Sequence, residues 1–304
     1  MSKNLISVVQ LGTVDYAMGL RLQQQLVALR KEEKIGDVLL LLEHKPVITL
    51  GRNAKAKNVI ASPELLAHRG VELFDCDRGG DVTFHGPGQI VGYPIFDLRR
   101  YSSNLSSRAS RSGSDGESRD LGFSSGVQGK HLGAVDFVRR LEELLMRTCA
   151  DFSIPTKRIS RLTGVWTDNR EGHDFSRAGN GDEGAASAAE GKEAKLAAIG
   201  LHISRFVTSH GFALNVNTDL SYFNLIVPCG IASKPVTSMQ RELARALDLN
   251  AVAESISRNF GVVFQSQMLW LDTIDALLGR PVGVPMQPPG ELRQLHKEDD
   301  FPWA

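Results

Sequence analysis

Apolar residues recur at three- and four-residue spacing between Val14 and Lys34, which places them on one face of an α-helix. A similar amphipathic pattern covers Ala134 to Phe152, and Val236 to Phe260 is predicted to hold two further helices. A shorter helix is predicted over Pro63 to Arg69, because Ser62 is a suitable N-cap and proline is favoured at the first helical position. The periodicity therefore predicts several separate amphipathic helices.

The clearest strand signal is the continuous apolar run inside Asp37 to Glu43, which is typical of a buried strand. Further strands are predicted over Pro46 to Gly51, Val71 to Cys76, Gly88 to Asp97, Ser160 to Thr167, Lys195 to Ile203 and His210 to Val216. Strands and helices do not alternate in a strict β-α-β order. We therefore expect an α+β fold with a mixed β-sheet flanked by helices, and not a doubly wound parallel sheet.

Two stretches of low apolar content interrupt this pattern. Residues 102–130 are rich in serine and glycine, and residues 168–194 are rich in glycine, alanine and glutamate. Such composition buries too little apolar surface to offset its ordering entropy, so both are interpreted as flexible surface insertions. Without the second insertion, Thr163–Thr167 would run directly into Lys195–Gly200, and the two would form a hairpin.

Composition limits the functional classes. The 304 residues carry 35 basic and 35 acidic side chains, so the chain lacks the basic excess of a typical nucleic-acid-binding protein. The three cysteines, Cys76, Cys149 and Cys229, lie far apart and form neither a disulfide framework nor a metal-ligand motif. No apolar run is long enough to span a membrane, and no signal or transit pattern opens the chain. A cytoplasmic protein without a bound metal is predicted.

The most unusual segment is Arg78 to Gln89, which reads Arg-Gly-Gly-Asp-Val-Thr-Phe-His-Gly-Pro-Gly-Gln. Its glycines allow tight turns and close approach of a ligand to the main chain, and its polar side chains supply hydrogen-bond donors. It matches neither the Walker loop nor the dinucleotide-binding pattern. On its own, such a segment is equally typical of a glycine-rich connection without any chemistry.

Each of two further residues can be interpreted either as structural or as part of a reactive site. Cys229 lies between Pro228 and Gly230, which indicates a turn, and turns often carry nucleophiles, although a lone cysteine is more often a small buried residue. Lys195 opens an apolar strand, where a lysine is usually a solvated end. If its ammonium group lies beside a thiol, it lowers the pKa of that thiol.

Four segments in order carry a resemblance to a known family: Arg78–Gln89, Lys195–Gly200, Ser209–Val216 and Phe223–Ile231. Together they look like the lipoyl(octanoyl) transferase family. The resemblance implies a fold similar to the catalytic domain of biotin protein ligases and lipoate ligases. We expect a catalytic domain over residues 1–260, followed by a C-terminal extension over residues 261–304 that is partly irregular.

The resemblance implies a site and a reaction. Cys229 corresponds to the nucleophile and Lys195 to the residue that lowers its pKa. The substrate-binding positions are Arg78, Gly79, Gly80, Asp81, Val82, Thr83, Phe84, His85, Ala198, Ile199, Gly200, Gly211, Phe212 and Ala213. The implied donor is octanoyl-acyl carrier protein, and the implied acceptors are lipoyl domains of 2-oxo acid dehydrogenase complexes and the glycine cleavage H protein. No cofactor is implied. Apolar residues such as Phe84, Leu162 and Leu214 are expected to line the acyl tunnel.

Two other functions compete with octanoyl transfer. An ATP-dependent lipoate or biotin ligase shares the fold and a lysine like Lys195, but Cys229 and the lack of an adenylate-binding signature argue against it. A non-catalytic protein that binds lipoyl domains or acyl carrier, with a structural Cys229, is the second alternative. A requirement for ATP would identify the first, and the intact mass of the protein after incubation with octanoyl-carrier protein would separate the second from a transferase.

Overall fold

The computed structural model describes residues 4–102, 131–168, 193–228 and 234–279. Cys229, most of the two predicted insertions and the end of the chain lie outside these residues. No helix in the described ranges is long and apolar enough to cross a membrane.

Eleven strands and six α-helices make up the described chain. The strands are β1 (Asn4–Val14), β2 (Asp37–His44), β3 (Val47–Leu50), β4 (Glu72–Asp75), β5 (Val82–His85), β6 (Gln89–Ile95), β7 (Thr156–Ile159), β8 (Leu162–Thr167), β9 (Lys195–Ser204), β10 (Val207–Asn215) and β11 (Ser266–Leu271). The helices are α1 (Tyr16–Lys31), α2 (Pro63–His68), α3 (Ala134–Asp151), α4 (Met239–Leu243), α5 (Leu249–Phe264) and α6 (Ile274–Leu277). Short 3-10 helices cover Ala56–Asn58, Leu98–Arg100 and Leu220–Leu225.

The strands form one large and one small sheet. The eight-stranded sheet has the order β11-β1-β2-β6-β10-β9-β8-β7, and the three-stranded sheet has the order β4-β3-β5. Strand β1 pairs parallel with β2 and β11, whereas the other pairs of the large sheet are antiparallel. The predicted α+β fold with a mixed sheet and flanking helices is therefore confirmed.

The large sheet buries both faces, and strand alternation decides which side chain faces which core. Leu39 and Leu41 point to the core under α3 and α5, whereas Val38 and Leu40 point to the core under α1. The small sheet packs its own apolar cluster, which includes Phe84, against the 3-10 helix Leu220–Leu225. Each helix thus covers part of a sheet that would otherwise be exposed.

Most predicted elements are present, with shifts of a few residues at their ends. The predicted hairpin is confirmed, because β8 pairs antiparallel with β9 through Val165↔Ala197 and Trp166↔Lys195. Ser62 caps α2 as predicted, since its hydroxyl accepts a hydrogen bond from the Leu65 N–H. The sequence pattern did not predict β1, β7 or β11. It also treated the whole segment from Arg78 to Gln89 as turns, whereas its centre forms β5.

Candidate active site

A cavity of about 330 Å³ lies between the large sheet and the small sheet. Its walls come from β5, β6, β9 and β10, from the segment before β5, from the start of β8 with the preceding Arg161, and from Tyr16 at the start of α1. The predicted site residues that line it are Arg78 to Asp81, Thr83, His85, Lys195, Ala198 to Gly200 and Gly211 to Ala213. Three separate stretches of the predicted site, within Arg78–His85, Lys195–Gly200 and Gly211–Ala213, therefore meet around one cavity.

Val82 and Phe84 are the predicted binding residues that do not line this cavity. Successive side chains of a strand point to opposite faces, so Thr83 and His85 face the cavity while Val82 and Phe84 face away. Both belong to the apolar cluster of the small sheet, where the Phe84 ring stacks on Tyr222 at 4.7 Å between centroids. Of the expected tunnel residues, Leu162 lines the cavity, whereas Leu214 belongs to the core beneath α3 and α5.

Arg78 holds the glycine segment in place. Its guanidinium is buried and donates to the Thr49 carbonyl oxygen at 2.7 Å and to the Thr49 hydroxyl at 2.9 Å. The Gly79 N–H donates to the Leu201 carbonyl oxygen at 2.8 Å, which ties the segment to β9. A Cβ atom on Gly200 would lie 2.7 Å from the Gly79 carbonyl oxygen, so only glycine permits this approach.

Asp81 lines the cavity, but its carboxylate stabilises the surrounding loop. One oxygen accepts from the Val82 N–H at 2.7 Å and from the Lys55 N–H at 3.3 Å, and the other accepts from the Asn58 side chain at 2.6 Å. These bonds fix the start of β5 against the loop that follows β3. We interpret Asp81 as a residue that shapes the binding segment.

Lys195 is buried at the start of β9, with 9% of its surface exposed. Its N–H donates to the Pro235 carbonyl oxygen and its carbonyl accepts from the Thr237 N–H. The ammonium nitrogen lies 5.2 Å from the centroid of the Trp166 ring, a cation–π distance. The lysine is therefore not the solvated strand end that its position in the sequence also suggested.

A small recess adjoins the cavity, because Thr83, Lys195 and Ala198 line both. Pro228 also lines this recess. Cys229 itself lies outside the described residues. The residue that directly precedes Cys229 in the chain nevertheless borders the same recess as Lys195.

Buried aromatic and imidazole rings lie near the cavity at β6. His44 Nδ1 is 2.9 Å from the Val14 carbonyl oxygen, so Nδ1 carries the proton and Nε2 accepts from the Tyr93 hydroxyl at 2.6 Å. Tyr16 packs edge-on against His44 at 5.2 Å and parallel to His85 at 6.4 Å between ring centroids. Tyr16, His44 and Tyr93 were not predicted, because each is a single residue in an otherwise apolar or helical pattern.

Burial keeps both imidazoles of this group neutral. It lowers the pKa of His44 to about 4 and the pKa of His85 to about 3. His85 Nδ1 lies 2.7 Å from the Gln89 side-chain oxygen, and the Gln89 amide donates to Asn215 at 2.8 Å. The Gln89 oxygen accepts from His85 Nδ1–H, which leaves Nε2 of His85 as an acceptor.

The surroundings of the other two cysteines indicate structural roles. Cys149 is fully buried on α3, and this burial raises its thiol pKa to about 12. Cys76 is half-buried directly after β4, and its thiol donates to the Leu50 carbonyl oxygen at 3.3 Å. Among the described residues, no group of three or more histidine, cysteine, aspartate or glutamate side chains is arranged to hold a metal ion.

Comparison with known proteins identifies the family. The family model for the lipoyl protein ligase A/B catalytic domain matches residues 15–111 and 119–261. An octanoyltransferase of Koribacter versatilis is 51% identical over 97% of this chain and 98% of its own length. An octanoyltransferase of Acidobacterium capsulatum is 48% identical over 90% of this chain and 96% of its own. The chain belongs to the octanoyltransferase family.

Solved structures support the same fold. A bi-partite lipoate protein ligase from Thermoplasma acidophilum superposes with a TM-score of 0.56 at 10% identity, covering 92% of this chain and 91% of that one. A lipoate-protein ligase A bound with ATP gives a TM-score of 0.55 at 13% identity, covering 92% and 93%. At such low identity the likeness concerns the fold alone. Membership of the octanoyltransferase family makes this chain an acyltransferase of protein lipoylation.

Proposed function

We propose that this octanoyltransferase moves an octanoyl group from octanoyl-acyl carrier protein to a lysine of lipoyl domains through a thioester on Cys229. The proposed acceptors are the lipoyl domains of 2-oxo acid dehydrogenase complexes and the glycine cleavage H protein, and the proposed compartment is the cytoplasm. The single observation that supports this most is the position of Lys195 between the cavity and the recess bordered by Pro228.

The proposed first step uses Cys229 as a thiolate. The Lys195 ammonium stabilises this thiolate, because a nearby cation lowers the pKa of a thiol. The thiolate attacks the thioester carbonyl of the donor, and the bond from this carbonyl to the carrier sulfur breaks. The departing carrier thiolate takes a proton from Lys195. The products are octanoyl-Cys229, free carrier thiol and a neutral Lys195.

In the second step the acceptor lysine attacks octanoyl-Cys229. An amide bond forms, and the bond from the carbonyl carbon to the Cys229 sulfur breaks. Neutral Lys195 accepts the proton that the attacking amine loses, which restores both the ammonium and the thiolate. This covalent route lets two protein substrates visit the same site in turn and requires no nucleotide.

The cavity supplies binding free energy for the acyl chain. Val91, Leu162, Ile199 and Phe212 provide apolar lining. Burial of about six methylene groups contributes roughly 5 kcal/mol at about 0.8 kcal/mol each. The oxyanion of each tetrahedral intermediate requires N–H donors. Gly79 is unsuited to this role because its N–H already donates to Leu201. We therefore propose the N–H groups of Gly80 and Gly230 as the donors.

The test is the intact mass of the protein after incubation with octanoyl-acyl carrier protein in the absence of ATP. We expect one added octanoyl group, lost again when lipoyl domain is supplied. An unmodified mass together with lipoyl-domain acylation only in the presence of ATP would indicate a ligase. An unmodified mass with no acylation under either condition would indicate a non-catalytic binder. The predicted division between a catalytic domain at residues 1–260 and an extension stays a prediction.

A further inference from the structure

The end of the cavity at β6 is polar, although an octanoyl chain is apolar. Tyr16, His85 and Tyr93 line it, and His44 lies directly behind Tyr93. We call Tyr16, His85 and Tyr93 the polar floor. The opposite end, around Lys195 and Ala198, is where the acyl group would be attached under the proposed function.

Strand register gives the distance between these two ends. On β10, Ala213 is opposite Ala198 of β9, and its neighbour Phe212 is opposite Gly92 of β6. Tyr93, the residue after Gly92, therefore lies two strands away from Ala198 and two residues further along β6 than the position level with Ala198. With about 3.4 Å per residue and about 4.8 Å per strand, the two Cα atoms are about 12 Å apart. Three extended backbone bonds span about 3.5 Å, so the seven bonds of an eight-carbon chain span about 8 Å. The remaining distance of about 4 Å corresponds to van der Waals contact between the end of the chain and the residue at position 93.

The polar floor is rigid as well as polar. The hydrogen bonds from His44 Nδ1–H to Val14 and from Tyr93 O–H to His44 Nε2 hold both rings in one orientation. Gly19 of α1 packs against the back of the His44 ring, because a Cβ atom there would lie 2.9 Å from its Cε1. Close packing of this kind resists displacement. A longer chain would have to press methylene groups against hydroxyl and imidazole groups, which is unfavourable.

We propose that the polar floor, held in place by His44, sets the upper limit of acyl-chain length at about eight carbons. This inference rests on the proposed function and names the residues that limit the chain length in the same cavity. Tyr93 and His44 act here on chain length and take no part in bond making.

The test compares hexanoyl-, octanoyl-, decanoyl- and dodecanoyl-carrier protein as donors in acyl-enzyme formation. The chain as it stands should prefer octanoyl over decanoyl. The double variant His44→Leu/Tyr93→Leu makes the floor apolar and shorter, and removes both partners of the buried hydrogen bond together. The decanoyl-to-octanoyl ratio of kcat/KM should rise about tenfold or more.

Tyr101→Leu is the matched control. Tyr101 and Tyr93 are equally buried at 4% exposure, and each donates its hydroxyl to a buried side chain. Tyr101 belongs to the core beneath α3 and α5, away from the cavity, so its loss should leave the chain-length ratio unchanged. If the double variant does not fold, Tyr16→Leu changes the same floor at a second position, and the ratio should move in the same direction.

The outcomes separate this inference from the proposed function. If the unaltered chain forms no acyl-enzyme with any donor, the proposed function is wrong. If it forms octanoyl-enzyme but the ratio stays constant in the floor variants, or shifts equally in Tyr101→Leu, the polar floor does not set chain length.

Discussion

The side chain of Lys195 runs through the space left by Gly164. A Cβ atom on Gly164 would lie 2.8 Å from Cε of Lys195 and 2.5 Å from the Ala197 carbonyl oxygen. Gly164 also has a φ of +126°, a backbone conformation that disfavours other residues. The glycine on β8 thus sets the path by which the lysine on β9 reaches the cavity.

Gly164→Ala should therefore displace Lys195 and reduce acyl-enzyme formation about tenfold or more. The added backbone strain costs about 1–3 kcal/mol of stability, which thermal unfolding will show. Gly12→Ala is the control, because Gly12 also has positive φ but nothing lies within 4 Å of its would-be Cβ. If acyl-enzyme forms at the same rate in Gly164→Ala and in Gly12→Ala, the path of the Lys195 side chain does not affect the reaction.

Lys195→Ala should raise the pKa of Cys229 and slow acyl-enzyme formation. Alkylation by iodoacetamide across pH measures this pKa, which should lie below about 8.5 when Lys195 is present. Lys195→Arg keeps the charge but does not accept a proton near neutrality, so it should retain part of the thiolate effect and lose most transfer to the amine. The measured pKa belongs to the coupled pair. An identical alkylation profile in folded Lys195→Ala would remove this residue from the site.

Cys229→Ala should abolish both the acyl-enzyme and the acylation of lipoyl domain. Cys76→Ser and Cys149→Ser should leave turnover nearly intact, because neither thiol lines the cavity between the two sheets. The double variant Cys76→Ser/Cys149→Ser also provides a background with one thiol for the alkylation experiment. Substantial acylation by folded Cys229→Ala would exclude the covalent mechanism.

The free energy of unfolding should fall as the pH is lowered from about 6.5 to about 4. In this range the unfolded chain protonates His44 and His85 near pH 6.5, whereas burial keeps them neutral in the folded chain. Each ring that takes up a proton only on unfolding contributes a slope of up to about 1.4 kcal/mol per pH unit.

Urea unfolding between pH 6.5 and pH 5 measures this slope, in a range above most carboxylate titration. In the variant His44→Leu/Tyr93→Leu, the slope of the free energy of unfolding against pH should be smaller by the contribution of the missing His44 imidazole. The control His68→Gln removes an exposed histidine of α2 and should not change it. The interpretation fails if the slope is the same in all three proteins.

Replacing residues 103–130 by a short glycine-serine linker should change the melting temperature little. Ser102 and His131 pair as an antiparallel bridge, so the two ends that the linker must join are already neighbours. Loop-closure entropy depends weakly on length, and the removed composition is poor in apolar residues. A melting temperature lower by many degrees would show that this insertion packs against the rest of the chain. A large loss of octanoyl transfer would show that it contributes to the reaction.

Local sequence determined the elements that depend on neighbouring residues. Helix α3 covers Ala134–Asp151, one residue short of its prediction, because its apolar spacing and its helical hydrogen bonds are both local. The capping of α2 by Ser62 is equally local. The motif resemblance located the glycine segment, Lys195 and the stretches on β9 and β10. It placed Val82 and Phe84 in the site as well, because it did not include the strand alternation of β5.

Only the tertiary structure decided which distant residues meet. Strand β1 is paired through Asn4↔Ser266, a contact between opposite ends of the described chain that no local pattern indicates. The His44–Tyr93 hydrogen bond likewise exists because β2 and β6 are neighbours in the large sheet. Periodicity reports the face of a strand that is buried, whereas strand order results from the packing free energy of the whole chain. The cavity between the two sheets and its polar floor are formed at this tertiary level.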